Sequence, residues 1–290
     1  MGSTKTAKAT APRSQGRTKT KASKVKIAVS GAAGRMGKRI VTLAHEHPSV
    51  TLTGALEAPG HGCLGMDAGE VAGVGSLGVP ITDNLAGVLK ECDVLIDFSS
   101  PAASVANAKV AATAGKAMVI GTTGFSESQR KELDQLKTQT RCVLAPNMSM
   151  GVNLLFSIVG KVAAALGPDY DIEIVEAHHR MKKDAPSGTA DRLARIIAES
   201  LGRHLESCGV YGRHGLVGER TPQEIGVMAV RGGDIVGEHT VMFVTGGERI
   251  ELIHRAHSRD AFARGAILAA LWLVSQPNGL YDMQDVLGLK

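Results

Sequence analysis

The stretch Val25-Lys-Ile-Ala-Val-Ser30-Gly31-Ala-Ala-Gly34-Arg35-Met36-Gly37 decides the fold. Val25–Ser30 is short, β-branched and apolar, and glycine bounds it, so it reads as a buried strand. Met36 to His47 reads as a helix. Gly31, Gly34 and Gly37 lie at the junction, a variant of the glycine-rich turn that lets a pyrophosphate approach the backbone at a helix N-terminus. A glycine pattern alone is weak, but its placement between strand and helix makes it specific. Val50–Glu57 reads as the second strand, and Glu57 stands 20 residues beyond Gly37, where an acid can take the ribose hydroxyls of a dinucleotide.

Working outward, Pro59–Gly78 reads as a glycine-rich loop, Leu85–Cys92 as a helix and Asp93–Asp97 as a strand. Ala102–Ala114, Ser126–Gln139 and the strands Ala117–Ile120 and Cys142–Ala145 continue the alternation. Strands and helices spaced in this way imply βαβ units and a parallel sheet. Two loops, Asp97-Phe98-Ser99-Ser100-Pro101 and Gly121-Thr122-Thr123-Gly124, follow later strands, where a ligand crevice opens.

The pattern changes after Pro146. Val152–Leu166 and Ala190–Leu201 read as helices, and Asp171–Ala177, Gly226–Arg231, Glu238–Val244 and Arg249–His254 as strands. In the first of these strands Ile172 and Ile174 alternate with Asp171 and Glu173, and Gly246-Gly247 marks a hairpin. Ala261–Val274 is a closing helix. The fold class is α/β: a dinucleotide-binding domain over residues 25–146, joined by the closing segment 260–290, and a smaller α+β domain over residues 147–259.

Composition narrows the function. The apolar share is 43% and the aromatic share 3%, so the core is built from Val, Ile, Leu, Ala and Met. No apolar run approaches a membrane span, so the chain is expected to be soluble, with no membrane partner. Residues 1–24 hold seven Lys or Arg and no acid; without them 26 basic residues face 28 acidic ones, a net charge of −2. A near-neutral body argues against nucleic acid as a partner. The tail lacks apolar periodicity and is expected to be disordered. It is also basic, hydroxyl-rich and free of acids, as transit peptides are, and Met1–Thr6 fits the short myristoylation pattern. Cytoplasmic placement is the first expectation, an organelle the alternative. Cys63, Cys92, Cys142 and Cys208 have neither metal-ligand nor redox spacing, so buried reduced thiols and no metal are expected.

The segment Glu176-Ala-His178-His179-Arg180-Met-Lys182-Lys-Asp184-Ala-Pro-Ser187-Gly188-Thr189-Ala190 carries the most chemistry. Histidine exchanges protons near neutral pH, a desolvated lysine can be tuned to do so, and the helix start at Ser187-Gly188-Thr189 suits a carboxylate. By residue type alone, a solvated basic loop before a capped helix explains the segment as well.

This segment closely resembles the corresponding motif of the dihydrodipicolinate reductase family. GAAGRMG at 31–37, IDFS at 96–99, VIGTTGF at 119–125, APNMSMGVN at 145–153 and RGGDIVGEHT at 231–240 resemble that family in the same order. The resemblance runs from about Val25 to about Leu287. It implies a Rossmann-type first domain, a second domain that binds substrate and builds a homotetramer, and a last helix packed back on the first. It implies reduction of the cyclic dicarboxylate (2S,4S)-4-hydroxy-2,3,4,5-tetrahydrodipicolinate by NADH or NADPH, with loss of water, hydride delivery to C4 and proton uptake at C3, in lysine and diaminopimelate biosynthesis. By position, His178 is implied as the catalytic histidine and Lys182 as the proton donor. His179, Gly188 and Thr189 fall at substrate contacts. Gly31, Ala32, Ala33, Gly34, Arg35, Met36, Glu57, Gly121, Thr122, Thr123, Ala145, Pro146, Asn147 and Met148 fall at cofactor contacts.

Two positions depart from family members that prefer NADPH: Ala58 and Ser100 stand where those carry arginine. NADH preference is therefore expected, with Arg35 as the remaining cation near a 2′-phosphate. Alternatives are another two-domain amino-acid dehydrogenase, a semialdehyde-type reductase, or a nucleotide-sensing module without chemistry. The thioester route of a semialdehyde-type enzyme needs a reactive cysteine, for which none of the four shows a setting; retention of both His178 and Lys182 argues against the sensor.

Overall fold

The computed structural model describes residues 23–290; the expected disorder of the tail falls, for residues 1–22, outside the described residues. The chain begins with β1 (Val25–Ser30), α1 (Arg35–Glu46), β2 (Val50–Leu56), α2 (Ala68–Ala72), β3 (Ile81–Thr82) and α3 (Leu85–Glu91). It continues through β4 (Val94–Asp97), α4 (Pro101–Thr113), β5 (Ala117–Ile120), α5 (Glu127–Gln135) and β6 (Arg141–Leu144). These strands pair only in parallel. Read across the sheet, their order is β3-β2-β1-β4-β5-β6, so the direction of winding reverses between β1 and β4. A Rossmann sheet binds its dinucleotide at that reversal, outside the carboxyl ends of the strands.

Helices cover both faces of this sheet. β4 and β5 are buried at every residue, as strands sandwiched between helices must be. On one face Val88, Leu89, Val105, Ala108, Ala111 and Leu133 pack from α3, α4 and α5. On the other, α1 shares its core with a helix from the far end of the chain, α9 (Asp260–Leu273), through Ala263, Ala266, Ala270 and Leu273. Arg39 of α1 forks onto both oxygens of Asp260 at 2.6 and 2.9 Å, joining the two helices. Small side chains let α9 approach closely: a Cβ on Gly265 would stand 1.8 Å from the Met148 carbonyl oxygen.

Between these ends lie α6 (Met150–Leu166), β7 (Asp171–His178), α7 (Gly188–Ser200), α8 (Leu205–Cys208), β8 (Gly209–Val210), β9 (Ile225–Arg231), β10 (Gly237–Thr245) and β11 (Glu248–Ala256). The second sheet has the order β11-β10-β7-β9-β8 and is mixed: β10 is antiparallel to β7 and β11, whereas β9 is parallel to β7 and β8. The hairpin between β10 and β11 turns on Gly246 and Gly247, where Gly247 takes φ +100°, a conformation that favours glycine. Ile172, Ile174, Val241 and Phe243 point to the same side and pack under α6 and α7 with Val152, Phe156, Leu193 and Ile197. Each such side chain contributes about 1.5–3 kcal/mol on full burial.

Four expectations need correction. The segment Pro59–Gly78 is not a plain loop. Asp67 caps the short helix α2, accepting from Gly69 and Glu70, and also takes the N–H groups of Leu77 and Val79 at 3.0 and 3.1 Å. One carboxylate thus organises the whole excursion, and the N–H of Leu77 and its other donors hold that carboxyl well below its usual range. The helix expected over Ser126–Gln139 ends at Gln135 and tightens into a 3₁₀ turn at Leu136–Thr138. The run Met150–Asp169 is, by length and composition, long and apolar enough to cross a membrane, contrary to expectation. Val152, Leu155, Phe156, Val159 and Ala163 of that run are buried in the second core, which accounts for its apolar character. Finally, a strand beyond the closing helix, β12 (Gly279–Tyr281), pairs parallel with β6 as the seventh strand of the first sheet, and α10 (Met283–Val286) follows it.

Candidate active site

The first half of the site is a turn made without side chains. Gly31 takes φ +76°, and a Cβ there would stand 2.5 Å from the Phe98 carbonyl oxygen. A Cβ on Gly37 would stand 2.0 Å from the Gly31 carbonyl oxygen. The turn therefore folds tightly on itself and against the loop after β4. Gly34 caps α1 with no side chain, whereas Asn84, Ser100, Ser126, Ser149 and Ser187 cap α3 to α7. The helix at the sheet's reversal point is thus left open to an external anion, as a pyrophosphate requires. Glu57 lies beside the turn, its Oε1 accepting the Ala33 N–H at 2.7 Å.

Asp97, fully buried at the end of β4, fixes the neighbouring loops. It accepts from the Ser99 N–H and hydroxyl at 3.0 and 2.7 Å, the Ser104 hydroxyl at 2.8 Å and the Asn107 amide at 2.7 Å. Thr122 also turns its hydroxyl onto this carboxylate, at 3.1 Å, while Thr123 is exposed. Ala32, Ala145 and Met148 have their side chains in the first core, so they can present only backbone to a ligand. Arg35 and Pro146 are exposed, Ala33, Met36 and Gly121 half-buried, and a Cβ on Gly121 would stand 2.2 Å from the Phe98 ring.

The second half is built from side chains. Glu176 continues the inward alternation of Ile172 and Ile174, which puts a carboxylate, fully buried, under the helices. It accepts four hydrogen bonds: Ser187 N–H and Arg231 Nη2 at 2.9 and 2.8 Å on Oε1, Arg231 Nη1 and His178 Nδ1 at 2.8 and 2.6 Å on Oε2. Burial pushes the Glu176 carboxyl up, but Arg231, His178 and Ser187 outweigh it and leave it below the ordinary carboxylate range. Burial pulls His178 down, only partly opposed by Glu176, so its ring is neutral near pH 7. His239 of β10 packs edge-on to it, ring centres 5.3 Å apart, and burial takes His239 down to about 3.

Lys182 lies in the loop after β7 and pairs with both oxygens of Asp184 at 2.8 and 2.9 Å. His179 is half-buried; its carbonyl accepts the Lys182 N–H at 3.0 Å, closing the turn that carries the lysine. Ser187 caps α7 and so starts the helix at Gly188. Gly188 is exposed, and a Cβ on it would meet nothing within 4 Å, so this helix start opens onto free space. Thr189 Oγ1 accepts from Asn147 Nδ2 at 3.1 Å, which leaves its O–H free to donate. That bond ties the start of α7 to the loop after β6. Asn147 in turn bends back onto Ser149 N–H at 2.9 Å, and Ser149 meets His254 Nε2 of β11 at 3.3 Å. The open start of α7 is therefore held beside the loop after β6, at the carboxyl ends of the first sheet's strands.

Sequence reasoning did not single out Glu176, Arg231, His239 or His254. Glu176 had a signal, because the alternation that buries Ile172 and Ile174 buries it too. Arg231 opens the motif at 231–240, but nothing in that motif shows that its partner lies 55 residues away. No cysteine is set up as a nucleophile in this region: burial pushes Cys92 up to about 11 and Cys142 up to about 12.

Comparison with known proteins places these features. Residues 25–148 match the family model described as dihydrodipicolinate reductase, N-terminus, and residues 151–287 the one described as dihydrodipicolinate reductase, C-terminus. The chain is 55% identical over 266 residues to the 4-hydroxy-tetrahydrodipicolinate reductase of Syntrophobacter fumaroxidans, covering 92% of this chain and all of that one. It is 56% identical over 265 residues to that of Geobacter sulfurreducens, covering 91% and 99%. Among solved structures it is similar to the dipicolinate-bound dihydrodipicolinate reductase of Paenisporosarcina sp. TG-14, with TM-score 0.71, 26% identity, and coverage of 90% of this chain and 98% of that one.

Proposed function

The chain belongs to the dihydrodipicolinate reductase family, and from that premise we propose how its residues divide the work. The reaction is the NAD(P)H-dependent reduction of 4-hydroxy-tetrahydrodipicolinate to tetrahydrodipicolinate, with release of water, in lysine and diaminopimelate biosynthesis. When bound, the dihydronicotinamide supplies a hydride. Lys182 donates the proton taken up at C3, and His178 is its electrostatic partner. Gly188 N–H, the Thr189 hydroxyl and His179 hold the substrate carboxylates. Gly31 to Met36 take the pyrophosphate, Glu57 the ribose, and Gly121 to Thr123 with Ala145 to Met148 line the nicotinamide side. The observation that carries this reading is the Asn147–Thr189 hydrogen bond, which ties the open start of α7, the helix that follows the loop of Lys182, to the loop after β6.

We read the cofactor preference as NADH, with both cofactors used. Glu57 brings negative charge to the place where a 2′-phosphate would sit, and the exposed Ala58 and Ser100 bring no cation to offset it. Side-by-side kcat/KM values with the dicarboxylate substrate test this. NADH should be favoured, and Ala58→Arg should move the preference towards NADPH by supplying a forked phosphate ligand. A tenfold preference of the unaltered enzyme for NADPH would overturn it and point to Arg35. Oxidation of neither cofactor would overturn the assignment of roles altogether.

The chain is also read as a homotetramer. Supporting this, the face of the second sheet away from α6 and α7 leaves Val230 and Ile253 49% and 44% exposed. Light scattering after size exclusion measures the mass directly. Cytoplasmic placement is supported by four free thiols, three of them buried.

A further inference from the structure

We propose that the buried Glu176–Arg231 pair is a positioning device that holds His178 in a single tautomer, with Nδ1–H donated to Glu176 and Nε2 left as the ring's free acceptor. The inference rests on the reading that His178 acts in the reaction. Glu176 is inaccessible to solvent and its two oxygens receive four donors, which uses every acceptor position a carboxylate has. An ionised carboxylate cannot donate, so the 2.6 Å contact requires the hydrogen to be on His178 Nδ1.

Arg231 explains why the ring does not simply become cationic. A carboxylate alone beside an imidazole draws a proton to it. Here the guanidinium grips both carboxylate oxygens at 2.8 Å and already balances the charge. Arg231 is itself held by the carbonyls of Val230 and Asp184 at 2.7 and 2.6 Å, so it cannot swing away without breaking four contacts. The charged and titratable groups that face the ring are Glu176 of β7, Arg231 of β9, Lys182 of the following loop and the neutral His239 of β10. At the far side of the ring, Nε2 lies beside Gly237: a Cβ there would come within 3.0 Å of it. Among the described residues no protein group hydrogen-bonds Nε2, so that nitrogen is available to the site. The same carboxylate also receives the N–H of Ser187, the cap of α7. One buried charge thereby sets both the ring and the start of the helix that carries Thr189.

Glu176→Gln is the test, because of what an amide must do among four donors. Its NH₂ can face Arg231, the Ser187 N–H or His178, and only the imidazole can turn from donor to acceptor. The amide therefore flips His178 to the other tautomer, and loss of the carboxylate charge lowers the ring's pKa. We expect kcat to fall about 10-fold or more, as for a displaced acid–base group, with the NADH KM within about twofold. The acid limb of the kcat/KM profile, read as protonation of the neutral ring, should move to lower pH. A kcat within about twofold of the unaltered enzyme, an acid limb that stays in place, or an NADH KM that rises in step overturns the proposal. Should Glu176→Gln not fold, Glu176→Gln with Arg231→Gln removes both buried charges together and carries the same readings. His178→Ala separates the levels: near-normal turnover there removes the reading of the site itself, whereas lost turnover there with an unaffected Glu176→Gln removes the positioning role alone.

Discussion

The two halves of the site are built on opposite principles. Around Gly31, Gly34 and Gly37 the structure works by leaving atoms out: a methyl group at Gly37 would collide with backbone 2.0 Å away, and α1 starts without a capping side chain. At the end of β7 it works by packing charge in, with Glu176, Arg231, His178, Lys182 and Asp184 drawn into one hydrogen-bonded group. The first half is intolerant of addition and the second of subtraction. A pyrophosphate brings its own charge and needs only exposed N–H groups. A proton donor must have its protonation state set for it, which takes partners.

The sharpest way to break this contrast is to add one methyl group to the first half. Gly37→Ala should destabilise the fold by about 3 kcal/mol or more, the upper range for overpacking against backbone. Urea unfolding would show it as a lowered midpoint, and an unchanged midpoint would mean the turn can open. Next come subtractions from the second half. Lys182→Ala and His178→Ala should each lower kcat by about 10²-fold, the scale of a lost general acid. The urea midpoint should be little changed for Lys182→Ala, whose side chain pairs with the exposed Asp184, and lowered for His178→Ala, which strips one donor from the buried Glu176. Near-normal turnover in both would remove them from the chemistry.

Thr189→Val sits between the halves. It should raise the substrate KM more than the cofactor KM, because a hydrogen bond to a carboxylate is worth roughly 1.5–3 kcal/mol. Equal weakening of both ligands would instead show that the Asn147 contact, not the substrate contact, matters most. The smallest effect concerns His239→Gln. His239 is 3% exposed, with Nδ1 unpartnered and its pKa taken by burial from 6.5 down to about 3. Unfolding lets it gain a proton that the fold refuses, so it contributes a loss of stability as pH falls below about 6.5. The slope is at most about 1.4 kcal/mol per pH unit. Melting temperatures followed against pH check this: the His239→Gln curve should be flatter than that of the unaltered enzyme between about pH 6 and 4. Parallel curves would assign the acid sensitivity elsewhere.

Where backbone geometry dictates residue type, the sequence can be read directly. Gly31 and Gly37 have neighbours that exclude any Cβ, and β5, like β4 up to its terminal Asp97, is apolar because helices cover both faces. The short pieces were harder to read. β3 has two residues and β12 three, too few for any periodicity, and β12 exists because Thr140 accepts the Gly279 N–H and Tyr281 pairs with Val143, contacts from about 140 residues away. The organisation of Pro59–Gly78 hangs on one acid, Asp67, among many glycines. In the site, His178 and Lys182 stand out by residue type, but the buried groups that hold His178 do not. Arg231 is one arginine among many until β9 is laid parallel to β7 and brings it to His178.

The pairing of β12 with β6, and the packing of α9 beside α1, mean that the first sheet is assembled from both ends of the polypeptide. A ribosome releases β1 to β6 first, yet that sheet then has one face covered only in part, by α1, where α9 belongs, and an open edge where β12 belongs. The intervening domain, contiguous in the chain from α6 to β11, can close on its own core in the meantime. Domains commonly fold in the order of synthesis; here the domain begun first is the one finished last, and the crevice after β1 waits on residues made some 230 positions later for the support of α9.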